Sequence, residues 1–146
     1  MDLLTSMKIS SSGLAANRKR MGAISSNIAN AQTTRTSEGG PYRRKQVVFG
    51  AEPARESFSD ILEGELAESA KSVHAVEVVS QNKPPVLRYE PGHPDANRDG
   101  YVAYPDINVM EEMANMISTS RSYEANISAM NTAKAMAMKG LEIGKN

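Results

Sequence analysis

Along the last third of the chain, apolar and small residues recur at Val109, Met113, Met116, Ser120, Tyr123, Ile127, Met130, Ala137 and Leu141, with Lys134 interrupting the row. The steps alternate between four and three, which is the seam of a coiled coil, and they predict a helix over residues 108–143. At 1.5 Å per residue such a helix is about 54 Å long. Asn108 with Glu111 three residues later suits a capping box, Glu111 and Glu112 favour the positive end of the helix dipole, and Lys139 with Gly140 suits the other end. A weaker version of the same pattern opens the chain. Met7, Leu14, Met21 and Ile28 stand seven apart, and Leu3 and Ile24 bound a second row through Ser10 and Asn17. This predicts a helix over residues 3–30. Gly13 and Gly22 each cost it about 1 kcal/mol relative to Ala, and three consecutive serines (Ser10, Ser11, Ser12) weaken it further. A helix of this quality is marginal alone, so it should form only against a partner.

Between the two helices the pattern changes. All seven prolines lie between positions 41 and 105, and all nine methionines lie outside that window. Proline breaks helix interiors, whereas Met is a good helix former that adapts to irregular packing. The middle is rich instead in β-formers, with candidate strands at residues 42–49, 73–79, 86–89 and 101–104 and turns at Pro91-Gly92 and Asp99-Gly100. Residues 50–70 are acidic and read as loop or short helix. The expected fold is therefore α+β, with long N- and C-terminal helices forming a coiled-coil-like pair and a small β-rich middle. The expected division is residues 1–34 (helix and following turn), 35–106 (β-rich and loop) and 107–146 (long helix). A middle this short buries too little surface to be stable alone.

Charge adds an asymmetry. The net charge is zero, but residues 1–45 carry eight basic and two acidic side chains, and the remainder carries nine basic and fifteen acidic. Halves of opposite sign can attract within one molecule or between neighbours. Arg18, Lys19 and Arg20, and Arg43, Arg44 and Lys45, are expected to meet the acidic half of a neighbouring subunit. Zero net charge and a single adjacent aromatic, Tyr42, argue against nucleic acid. No stretch approaches the roughly 18 apolar residues of a membrane span. The start lacks the basic region, apolar core and cleavage site of a secretory leader. With no cysteine there is no disulfide framework, thiolate metal site or cysteine nucleophile.

The sharpest chemical motif is Asp95, Asn97, Asp99 and Gly100, which has the spacing of the opening of a calcium loop, with Asp106 at its twelfth position. Pro91 and Pro94 exclude the incoming helix such a loop needs, and Pro105 precedes the last ligand, so a polar turn between strands is the preferred reading. His74 and His93 have no catalytic or zinc spacing near them. The paired acids Glu63 with Glu65 and Glu111 with Glu112 read as solvated faces or dipole partners. No cofactor is expected. Residues 58–62 carry a loose pattern, Phe58 followed by Ile61 and Leu62, like that proposed for docking of exported subunits.

The two ends resemble the flagellar rod and hook axial-protein family. The N-terminal resemblance rests on Ser12, Gly13, Leu14, Ala15 and Ala16, and on Ile24, Asn27, Ile28, Ala29 and Asn30. The C-terminal one rests on Asn108, Glu111, Glu112 and Asn115, then Ser120, Arg121, Tyr123, Glu124, Ala125 and Asn126. Within that family, Thr33 to Arg44 and Pro91 to Val102 resemble the proximal rod members. The resemblance implies a structural subunit, not an enzyme. It also implies export from the cytoplasm through the flagellar type III apparatus without a cleaved leader, and polymerisation as a periplasmic rod. The terminal helices would form the inner layer and the middle would face outward. Implied partners are copies of itself, other rod proteins and the base on the inner-membrane ring. On that reading the assembly interface is Met7, Leu14, Met21, Ile24, Ile28, Met113, Met116, Tyr123, Ile127, Met130 and Leu141, with Met7, Leu14, Met21 and Ile28 packing against Met116, Tyr123, Ile127 and Met130. Three other readings are set against it: another rod or hook member, a calcium- or ligand-binding module using residues 95–106, and a cell-wall enzyme, which the missing acid/base cleft disfavours.

Overall fold

The computed structural model describes residues 3–53 and 71–143. Its elements are α1 (Leu3–Ala29), β1 (Lys45–Pro53), β2 (Lys71–Ser80), β3 (Val86–Tyr89), β4 (Tyr101–Tyr104) and α2 (Val109–Ile143). The fold is α+β, with a helix at each end and small sheets between. β1 and β2 form one two-stranded sheet, and β3 and β4 form a second.

Local chemistry explains both helices. In α1 the serine run is tolerated because the Ser12 hydroxyl donates to the Ile9 carbonyl at 2.8 Å, the back-bonding that lets a serine sit inside a helix. Asn108 caps α2: its side-chain oxygen accepts the Met110 N–H at 3.0 Å and the Glu111 N–H at 3.4 Å, filling two of the donors a helix start leaves open. At the far end α2 runs through Gly140 to Ile143, so Gly140 is not its stop. Lys139 lies inside the helix and pairs with Glu142 at 2.9 Å. The two short strands match their expected limits, and β2 extends the expected span slightly. β1 starts later, because Tyr42 is held by its N–H to the Thr33 carbonyl at 3.1 Å and not by a ladder. It also runs on to Pro53, so residues 50–53 are strand. The remainder of the 50–70 segment, with the pattern at residues 58–62, lies outside the described residues.

The chain divides into two compact units. Among the described residues, one takes residues 3–19, 49–53, 71–76 and 119–143. Its buried side chains include Ala16, Thr119 and Ala133, all small, which lets helices approach closely. A Cβ built on Gly13 would stand 3.0 Å from the Asn126 amide nitrogen, so α1 and α2 are neighbours at that point. The Val73 N–H donates to the Ser12 hydroxyl at 3.3 Å.

The other unit takes residues 20–48 and 77–118. The β3–β4 hairpin pairs Val86 with Tyr104 and Tyr89 with Tyr101, antiparallel. Val102 is completely buried and anchors it, while all four residues of β3 are exposed. At the hairpin's loop, Gly100 has φ +83°, and a Cβ there would meet a ring carbon of Tyr89 at 2.8 Å. Gly100→Ala should therefore cost about 1–3 kcal/mol, mostly from the left-handed backbone. It should also push Tyr89 off its edge contact with Tyr101, whose ring centroids are 5.4 Å apart. The check is amide exchange at Val102, which should quicken at least tenfold.

Candidate assembly interface

On α1, Ala16, Ala23, Ile24 and Asn27 are buried, one narrow stripe at helical spacing. Met7, Leu14, Met21 and Ile28 are half-buried along its edge. On α2 the covered row runs through Glu112, Met116, Thr119, Tyr123, Asn126, Met130, Ala133 and Ala137, again in alternating steps of four and three, with Asn115 and Ser120 half-buried beside it. This covered row shares Met116, Tyr123, Met130 and Ala137 with the expected seam. Where the expected seam has Met113, Ser120, Ile127 and the interrupting Lys134, the covered row has the residue one place earlier, and it has no counterpart to Leu141.

Met113, Ile127 and Leu141 instead belong to a second row on the adjoining face. Heptad spacing puts Met110, Ile117 and Met138 alongside them, and all six are exposed, Ile127 at 38%, Leu141 at 70% and Met110 at 75%. Between its apolar ends this outer row carries Ser120, Glu124, Asn131 and Lys134. α2 therefore has two adjacent apolar rows, only one of which is covered among the described residues. An apolar face wider than a single partner helix covers is the mark of a helix meant for more than one neighbour.

In the unit of residues 20–48 and 77–118, the sequence reading missed a buried polar knot. Asn27 is 1% exposed and fills every hydrogen-bonding position it has. Its amide donates to the Lys45 carbonyl at 2.9 Å and to Glu112 Oε2 at 2.9 Å. Its oxygen accepts the Lys45 N–H at 2.8 Å and the Tyr42 hydroxyl at 3.1 Å. Tyr42 is also 3.1 Å from the Ser26 hydroxyl. Glu112, likewise 1% exposed, takes Arg44 Nε on Oε1 at 2.8 Å, and Arg44 Nη2 reaches the same oxygen. A buried carboxylate persists only when paired and hydrogen-bonded in this way. Around it, the Gln81 N–H donates to the Arg44 carbonyl at 2.8 Å, setting the end of β2 beside the start of β1. The knot corrects two expectations. Arg44 meets an acid of its own chain, and Glu112, in the first turn of α2 where the helix dipole favours it, is buried and not a solvated face.

The 95–100 motif folds as the polar turn. Asp95 Oδ2 accepts the Thr34 hydroxyl at 2.8 Å, and Asp95 Oδ1 lies 3.8 Å from Arg35. Asn97 Oδ1 accepts the N–H groups of Asp99 and Tyr101 at 3.0 and 2.8 Å. These oxygens shape the loop, and no cluster of three metal-ligating side chains occurs among the described residues. Isothermal titration with millimolar calcium is expected to give no heat. His93 accepts the Asp95 N–H at Nδ1, 3.1 Å away, and packs edge-on against Tyr104. Tyr104 donates to Glu90 at 2.9 Å. That bond, with lost hydration and the Glu90 charge, raises the phenol above its ordinary 10.0, against a smaller downward pull from Arg88. The bond therefore supports the hairpin below the ordinary phenol range and is lost as pH rises through the raised value.

A groove of about 390 Å³ in the same unit is lined by residues that include Arg88, Tyr104, Asp106 and Asn108. Its carboxylate, Asp106, is 3.5 Å from Lys83. No helix among the described residues is long and apolar enough to cross a membrane.

Comparison with known proteins accounts for a site made of packing surface and not of chemistry. A family model described as "Flagella basal body rod protein" matches residues 7–35. One described as "Flagellar basal body rod FlgEFG protein C-terminal" matches residues 98–143. With the full-length relatives that follow, these matches show that the chain belongs to the flagellar basal-body rod protein family, as a structural component of that rod and not an enzyme. The relatives carry one name, flagellar basal-body rod protein FlgC. The chain is 44% identical over 147 residues to the Bacillus subtilis protein, covering 96% of this chain and 97% of that one. It is 40% identical over 145 residues to that of Salmonella typhimurium, covering 99% and 100%. The Borreliella burgdorferi protein is 38% identical over 153 residues, covering 98% of each.

Proposed function

We propose that the chain polymerises into the rod through its terminal helices, with residues 1–34 and 107–146 forming the inner layer and residues 35–106 facing outward. The observation that carries this reading is the outer row of α2, which offers Met110, Met113, Ile117, Ile127, Met138 and Leu141 to a neighbour. Copies of the chain and other rod proteins cover that row, and Met7, Leu14, Met21, Ile24 and Ile28 of α1 complete the interface with Met116, Tyr123 and Met130. Heterologous contacts that do not close make filaments, as a rod requires. The basic side chains Arg18 and Lys19, both exposed, suit an acidic face on the next subunit. The chain leaves the cytoplasm unfolded through the flagellar type III apparatus and assembles in the periplasm on the base at the inner-membrane ring.

Basal bodies from cells lacking the gene test this. The expected images show inner-membrane rings without a rod, restored by the intact chain but not by one lacking residues 1–30. Complete rods in the deletion strain would overturn it.

A further inference from the structure

We propose that the knot of Asn27, Arg44 and Glu112 is a register lock, which selects one alignment of α1 against α2 from alignments that the apolar rows alone would accept. The rows are repetitive. Met7, Leu14, Met21 and Ile28 repeat every seven residues, as do Met116, Tyr123, Met130 and Ala137, and Ala16 and Ala23 share that interval. A slide of seven residues, about 10 Å at 1.5 Å per residue, would return apolar side chains to apolar surroundings along most of the row. It would also bring Arg20 to the place of Asn27, so simple charge attraction to Glu112 would not oppose it. What the slide cannot reproduce is the set of bonds around Asn27. Its two bonds to the backbone of Lys45 tie α1 to the start of β1, and its bond to Glu112 ties the same residue to the first turn of α2. Arg44, one residue from that backbone contact, closes the ring onto Glu112. A buried polar residue that is satisfied in a single alignment discriminates against every other one, which is the best-attested use of such groups.

The chain has no cysteine, so paired nitroxide labels can be placed at will. Ser25→Cys and Ala114→Cys, both exposed and both in the unit that holds the knot, report the alignment by pulsed electron resonance on the full chain. With the knot intact, one narrow separation is expected. In the triple variant Asn27→Leu, Arg44→Met, Glu112→Leu, which replaces the knot by apolar groups of similar size, helix content by circular dichroism should hold. A second separation should appear, displaced as a seven-residue slide requires. An unchanged single separation with helix content retained would overturn the proposal, as would a broad distribution in the unsubstituted chain. Should the triple variant lose its helices, Asn27→Gln decides. It keeps the amide and favours helix, but its extra methylene displaces the bonds, so broadening supports the lock and a narrow, unshifted separation refutes it.

Discussion

Asn27→Ala is expected to destabilise the folded chain by roughly 3–5 kcal/mol. The substitution removes four hydrogen bonds at once, and each buried group left unmet costs about 1–3 kcal/mol. The groups differ in what they lose. Tyr42 keeps Ser26 and Glu112 keeps Arg44, whereas the peptide N–H and carbonyl of Lys45 lose the Asn27 side chain entirely. A loss of this size is a large share of the 5–15 kcal/mol that holds an ordinary domain. Tyr42→Phe should cost only about 1 kcal/mol, because it removes one hydroxyl while Asn27 Oδ1 keeps the Lys45 N–H. Urea unfolding followed by circular dichroism checks the ordering. Equal midpoints for the two variants would mean that Asn27 does not organise the knot.

Ile127→Asp should have the opposite profile, with little effect on the isolated chain and loss of assembly. Ile127 is 38% exposed, so the folded chain accommodates a carboxylate that can still reach water, at about 1 kcal/mol or less. If the outer row is an intersubunit surface, the same carboxylate would be buried against the next subunit. That forfeits about 1.5–3 kcal/mol of apolar burial, and an unpaired buried charge costs considerably more. Both penalties recur at every copy in a polymer. The strain should be non-motile and without rods while the purified variant keeps its helix content. A motile strain would refute the assignment of Ile127 to the interface.

The contrast between these two sites marks where the sequence was legible. Helix limits were readable because proline and methionine partition the chain so sharply, and because Asn108 offers a cap that the structure uses. The strands at Val86–Tyr89 and Tyr101–Tyr104 were readable because turn residues enclose them. The row on α2 was half readable. Counting apolar residues selects Met113, Ile127 and Leu141, since nothing in a one-dimensional pattern separates two adjacent faces of one helix. The covered face alternates its larger residues with Glu112, Thr119, Asn126 and Ala133, which are polar or small and so look like surface. Asn27 and Glu112 were illegible for a related reason. Their types are usually exposed, and only the fold brings Arg44 and the Lys45 peptide close enough to make burial favourable. The Asp95 turn was legible because three prolines surround it.

On the proposed assembly, the outer row of α2 also gives the protein a chemical liability that would disappear in the rod. The chain has nine methionines and no cysteine, so thioethers are its readily oxidised sulfur, and Met110, Met113 and Met138 stand exposed on that row. Peroxide converts such a side chain to a polar, chiral sulfoxide, which would leave the folded chain intact but spoil the surface its neighbours must cover. On the proposed assembly, a subunit is most vulnerable to oxidants before the next copy covers that row, and incorporation into the rod would itself be its antioxidant protection.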